Sequence, residues 1–247
     1  MRFSSTRAAA NAVGFSAALQ QGLAPDGGLY VPQSWPAMPA ALQSEDLDLA
    51  ALAQRALAPF LAADPLEGEL AAIAREAFNF PAPLVALDAG ARLSLLELFH
   101  GPTAAFKDFG ARFLAGALAR VPRASGRSLN MLVATSGDTG GAVAAAFHDR
   151  PGMQVTVLFP KGLVSPTQER QLTCWGGNVA AFAVRGRFDD CQRLAKEALQ
   201  APDLNARFDL SSANSINLGR LLPQMVYYAA ASLALQREHG ERAAFII

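Results

Sequence analysis

The stretch Asn130-Met131-Leu132-Val133-Ala134-Thr135-Ser136-Gly137-Asp138-Thr139-Gly140-Gly141-Ala142-Val143-Ala144-Ala145-Ala146-Phe147-His148 decides the fold of this chain. Its first six residues read as a strand, the polar and glycine residues through Gly141 as a turn, and Ala142 to His148 as a helix. The alternation then repeats. Val155 to Phe159 reads as a strand, Ser165 to Leu172 as a helix, Val179 to Val184 as a strand and Asp189 to Leu199 as a helix. Strands and helices alternating at these lengths specify βαβ units, hence a parallel sheet and an α/β fold.

The turn at the centre of that stretch has chemistry of its own. It sits between a strand and a helix N-terminus, where unpaired amides and the positive end of the helix dipole attract anions. Thr135, Ser136 and Thr139 add hydroxyls, and the glycines let backbone approach a ligand. The same residues also suit an ordinary capped turn, with Ser136 or Asp138 as N-cap. No Gly-Lys-Ser/Thr follows and the glycine spacing is not that of a dinucleotide fingerprint, so nucleotide binding is disfavoured.

Upstream lies Glu97-Leu98-Phe99-His100-Gly101-Pro102-Thr103-Ala104-Ala105-Phe106-Lys107-Asp108-Phe109-Gly110. Leu93 to Phe99 reads as a strand, His100 to Thr103 as a turn, and Asp108 to Ala119 as a helix with Phe109, Phe113 and Ala117 on one face. Lys107 is thus placed at a strand-to-helix corner between two phenylalanines. Such a setting suits a desolvated amine able to attack a carbonyl carbon, although a solvated lysine at a helix start is the simpler alternative. Asp108 falls in the first helical turn, where capping is its simplest role.

Downstream, Asn214, Ser215 and Asn217 cluster amide and hydroxyl groups, with Arg220 one turn further on. Together they could grip an anion, or the first three could cap a helix while Arg220 lies on the surface. That helix runs from about Leu218 to Gln236, begun or kinked at Pro223. Ala243 to Ile247 reads as the beginning of a buried strand. Residues 1–85, with helices over Leu47 to Leu61 and Gly68 to Phe78 and proline-marked loops, read as a helical accessory region.

Composition narrows the function. The 247 residues are 51% hydrophobic, enough for a sizeable core. With 21 basic and 21 acidic residues, no broad charge patch calls for nucleic acid or an anionic membrane. Cys174, Cys191 and the three histidines lack metal-ligand spacing, so no metal is expected. The N-terminus has no apolar signal core, and the run Met225 to Leu235 is too short to span a bilayer. A cytoplasmic protein is expected.

In order along the chain, Ser4-Ser5-Thr6-Arg7, Gly22-Leu23-Ala24-Pro25-Asp26-Gly27-Gly28-Leu29-Tyr30-Val31-Pro32, the Lys107 segment, Ala134 to Gly140 and Ser212 to Asn217 resemble the threonine synthases. These are pyridoxal-phosphate enzymes of fold type II, with parallel sheets flanked by helices, and the resemblance covers essentially the entire chain. It implies conversion of O-phospho-L-homoserine and water to L-threonine and phosphate, by γ-elimination and β-addition of water. Lys107 matches the lysine that holds pyridoxal 5'-phosphate and shuttles protons. Asp138 matches the position beside the cofactor's phenolic oxygen, where many relatives carry Asn. Thr135, Ser136, Gly137, Asp138 and Thr139 match the loop that receives the substrate carboxylate. Asn214, Ser215, Asn217 and Arg220 become candidates for the substrate phosphate.

The resemblance also implies domains: an accessory region over 1–85, part of a large cofactor domain over 86–128 and 211–247, and a smaller α/β domain over 129–210. The family's Ser-Gly-Asn-Phe/Leu-Gly loop for the cofactor phosphate has no counterpart in residues 1–247. The chain therefore reads as an N-terminal portion with an incomplete large domain, expected to be unstable or inactive in isolation. A related lyase such as a threonine or serine dehydratase, or a non-catalytic module of the same fold, are the alternative readings.

Overall fold

The computed structural model describes residues 1–7, 12–37, 39, 42, 47–88, 90, 92–121, 126–240 and 242–247. The chain opens with β1 (Phe3–Ser5), followed by α1 (Phe15–Gln21) and β2 (Tyr30–Pro32), which pairs antiparallel with β1. The first third is therefore not purely helical. Strands of three residues are too short to show an alternating pattern, which is why the composition there reads as helix. Two expected helices follow, α2 (Leu49–Leu61), capped by the Asp48 carboxylate on the Ala51 amide, and α3 (Leu70–Ala77).

Next, β3 (Leu84–Asp88) and β4 (Leu93–Leu96) form an antiparallel hairpin separate from the main sheet. The strand expected over 93–99 stops at Leu96, and its partner was hidden behind Pro81 and Pro83. The chain then turns through 101–106 into α4 (Lys107–Arg120), a deeply buried helix, which packs against α3 on one side. Its Phe109 ring meets Phe78, Phe80 and Tyr227 at centroid distances of 5.6, 4.4 and 5.3 Å.

The remaining strands build the parallel sheet. β5 (Leu129–Ala134) leads into α5 (Asp138–Phe147), β6 (Met153–Pro160) into α6 (Pro166–Thr173), and β7 (Val179–Val184) into α7 (Phe188–Gln200). A short α8 (Pro202–Arg207) precedes β8 (Asp209–Ser212). The strand order is β7-β6-β5-β8, all parallel. β6 and β7 add to one side of β5, whereas β8 returns to its other side. The loops leaving β5 and β8 consequently diverge at the C-terminal end of the sheet, the crevice where open α/β sheets place their ligands. The boundary read at residue 210 falls within β8.

α5 begins four residues earlier than expected. Gly140 and Gly141 lie inside the helix, the first because packing demands it: a Cβ on Gly140 would come within 2.5 Å of the Thr135 methyl and 2.6 Å of Leu172. Further on, Pro223 does interrupt its helix. α9 (Leu218–Leu221) gives way to a 3-10 turn over Leu222–Gln224 and then to α10 (Met225–His239). α9 crosses α4 so closely that a Cβ on Gly110 would lie 2.4 Å from the Arg220 carbonyl oxygen. Residues 243–247 do not form the buried strand expected of them; Ile246 and Ile247 are fully exposed. A strand needs neighbours for its backbone donors and acceptors, and among the described residues no strand pairs with this segment. Among the described residues, no helix is long and apolar enough to cross a membrane.

Candidate active site

Lys107 is the first residue of α4, so its side chain projects from the open end of a buried helix. Its Nζ lies 4.2 Å from the centroid of the Phe106 ring and 3.5 Å from Asp138 Oδ2. The two phenylalanines expected to flank it have different fates: Phe106 is partly exposed beneath the amine, while Phe109 is buried in the core. The side chain is 23% exposed, so the amine is sheltered rather than desolvated. The ring face and the carboxylate hold the amine from two sides.

Asp108 does not cap α4, as its position implied. It is buried and reaches backward, its carboxylate accepting the Thr103 amide at 2.8 Å and the Thr103 hydroxyl at 2.6 Å. That locks the Gly101-Pro102-Thr103 turn onto the helix start and fixes where Lys107 emerges.

Opposite stands the loop after β5. Neither Ser136 nor Asp138 is its N-cap; Gly137 takes that position with a φ of 143°, a backbone conformation open to glycine. Thr135 does the structural work. Its buried hydroxyl oxygen accepts the Gly137 and Gly140 amides, both at 2.9 Å, and donates to the Gly137 carbonyl at 3.0 Å. Thr135 is thus turned inward, while the Ser136 and Thr139 side chains are accessible. Among the described residues, the Ser136, Asp138 and Thr139 amides have no intramolecular acceptor, which leaves an open anion cradle at the start of α5.

Asp138 sits at the lip of that cradle. One carboxylate oxygen faces Lys107, and the other accepts the Gln168 side-chain amide at 2.8 Å. Gln168 was not singled out from sequence. The legible signal was the Ser165-x-x-Gln168 pattern of a capping box, which the structure contains at the start of α6.

The third cluster is arranged differently from an exposed anion grip. Asn214 bridges the sheet, its side chain donating to the Ala134 carbonyl at 2.8 Å and accepting the Ala134 amide at 3.2 Å. Asn217 is fully buried; it caps α9 on the Gly219 amide and donates to the Leu19 and Ser212 carbonyls. Arg220, read as either a phosphate ligand or a surface residue, is buried and bonds the Ala213 carbonyl at 2.6 Å, with no partner at Nε among the described residues. Burial pushes its guanidinium down to about 10, opposed by the Asp108 charge. Ser215 alone of the four is exposed. Asn214 and Ser215 line a cavity of about 290 Å³ with Leu23, Leu29 and Lys196.

Pyridoxal phosphate can be tested against these residues. An amine held at a helix start, a carboxylate beside it and a row of free amides next to both form a donor set that suits a carbonyl-bearing ring and an amino-acid carboxylate. Comparison with known proteins agrees. Residues 2–78 match the model described as threonine synthase N terminus, and residues 76–219 match that of pyridoxal-phosphate dependent enzymes. The chain is 43% identical over 226 residues to threonine synthase of Haemophilus influenzae, covering 92% of this chain and 52% of the relative. It superposes with a TM-score of 0.85 on the crystal structure of PLP-bound threonine synthase from Brucella melitensis, at 40% identity over 95% of this chain and 52% of that one. For threonine synthase from yeast the TM-score is 0.80, at 31% identity over 96% and 50% of the two chains. The chain spans about half the length of the curated relatives it matches. It belongs to the pyridoxal-phosphate-dependent enzyme family, as a homologue of the threonine synthases.

Proposed function

We propose that the protein acts as a threonine synthase in the cytoplasm, converting O-phospho-L-homoserine and water to L-threonine and phosphate with pyridoxal 5'-phosphate carried on Lys107. The observation that supports this most directly is the meeting of Lys107 and Asp138, 31 positions apart in the chain, at the mouth of a cradle of unpaired amides. When bound, the cofactor supplies an electron-withdrawing ring that stabilises negative charge on the substrate carbon skeleton.

The chain's own residues do the rest. The Ser136, Asp138 and Thr139 amides, with the Ser136 and Thr139 hydroxyls, receive the substrate carboxylate and so orient the amino acid. Thr135 and Gly137 hold that loop in shape. Lys107 accepts and returns protons at its Nζ, and Asp138 holds that nitrogen in place through its charge. On the phosphate side, Ser215 is the exposed ligand, while Asn214, Asn217 and Arg220 brace the loop that presents it.

Because this chain spans about half the length of its relatives and is expected to be inactive in isolation, the test is made on the full-length protein that its own gene encodes. Incubation with pyridoxal phosphate should generate the visible absorbance of a Schiff base, and phosphohomoserine should release phosphate and threonine. Lys107→Ala should lose both signals while retaining its circular dichroism. A variant that keeps the absorbance band, or a wild-type protein that leaves phosphohomoserine untouched, would sink the reading.

A further inference from the structure

The contact between Asp138 and α6 has no part in the chemistry above, yet its geometry is unusually determined. Gln168 is the third residue of α6, and its side-chain oxygen accepts from the Ser165 amide at 3.1 Å and from the Ser165 hydroxyl at 3.0 Å. With its oxygen held on one side by two donors, the amide must turn its NH2 group to the other side. There it donates to Asp138 Oδ1 at 2.8 Å, leaving Oδ2 facing Lys107. Gly137 makes the approach possible, since a Cβ at that residue would lie 2.4 Å from both the carbon and the nitrogen of the Gln168 amide. The same helix face touches the other half of the site, because Gln171 donates to the Thr103 carbonyl in the turn before Lys107 at 3.4 Å.

We propose that Gln168 is a positioning residue: the capping box of α6 orients the Asp138 carboxylate, and through it holds the Lys107 amine in its charged, paired arrangement. The inference rests on Lys107 being the reactive amine of the proposed function. A helix-capping glutamine normally spends its hydrogen bonds on its own helix. Here one half of the amide caps and the other half reaches across to a different element, so helix start and site are set by one side chain. Asp138 is the one carboxylate paired with Lys107 among the described residues, and Asp108, its neighbour on α4, is turned away toward Thr103.

Two near-isosteric variants separate this role from a purely structural one. In Gln168→Met the carboxylate loses its donor and is free to rotate away, so the Lys107 ammonium is less well held. In Gln168→Glu the donor to Asp138 is lost as well, but the added carboxylate itself stands beside the pair, so two negative charges rather than one hold the ammonium. The readout is competitive acetylation of Lys107 in the cofactor-free protein at mildly alkaline pH, quantified by mass spectrometry, with thermal melts in parallel. Expected is labelling roughly threefold faster in Gln168→Met and roughly threefold slower in Gln168→Glu, the change that a modest gain or loss of charge stabilisation produces. In an Asp138→Asn background, Gln168→Met should have no further effect.

Shifts in the same direction for both variants would overturn the proposal, as would an equal effect of Gln168→Met with and without Asp138. Failure of the broader functional reading is distinguishable. A Lys107 that responds to residue 168 but takes no pyridoxal phosphate would sink that reading and leave the positioning role standing. A protein that takes the cofactor on a Lys107 indifferent to residue 168 would sink the positioning role alone.

Discussion

Thr135 shows how a residue of the binding loop can matter without touching a ligand. Its hydroxyl oxygen is the acceptor for two amides of the loop, Gly137 and Gly140, at a site with almost no solvent access. Thr135→Val preserves shape and leaves both amides without a partner. Buried donors left unpaired cost far more than a hydrogen bond contributes, so the variant should lose about 2–4 kcal/mol in urea unfolding, while Thr135→Ser stays close to wild type. A valine variant within about 0.5 kcal/mol of wild type would show that the loop finds other acceptors. Lys107 and Asp138 are the contrasting case: partly exposed, mutually paired, and touched by Phe106 and Gln168, neither of them buried.

At the scale of elements, the helices behind the site are tied by a cluster of charge. Glu76 on α3 takes the guanidinium of Arg150, which follows α5, and that of Arg120 on α4 at 3.1 Å, while Arg112 on α4 donates to the Glu76 carbonyl at 2.7 Å. Burial alone would raise the Glu76 carboxyl, but the two arginines outweigh it and hold the group below its ordinary 4.5. A carboxyl lowered in the folded state stabilises above its ordinary value and loses that contribution as pH falls through the lowered one. As pH falls from neutrality through the ordinary carboxylate range and below it, the wild-type protein should therefore lose more stability than Glu76→Gln, measured by denaturant midpoints at each pH. Parallel acid profiles for the two proteins would remove Glu76 from the account. The variant should also start lower at neutral pH, since it leaves two partly buried arginines under-neutralised.

For the molecule as a whole, the informative surface is the β3–β4 hairpin. Val85 and Leu95 are directly paired across its ladder, and with Leu87 and Leu93 they expose one apolar face. Faces of this kind on isolated chains bind apolar probes and one another. The isolated 247-residue chain should therefore enhance the fluorescence of an apolar dye and sediment as a concentration-dependent mixture. Val85→Lys combined with Leu95→Glu, which keeps a favourable cross-strand pair, should reduce both effects severalfold. A monomeric, dye-dark wild-type chain would contradict this. The sequence by itself determined the α/β class, the strands β5 to β7 and the helices α6 and α7 to within a residue or two, because periodicity and turn residues are local properties of the chain. Its ordered motifs also marked Lys107 and the Thr135 to Thr139 loop. What only the tertiary structure decided is which groups those motifs leave available: Thr135, Asn217 and Arg220 are consumed by buried backbone, β8 crosses to the far side of β5, and Gln168 reaches Asp138 from another helix. Each of these depends on desolvation and on partners far apart in the chain, and hydrogen-bond capacity is assigned only once packing has settled which groups are cut off from water.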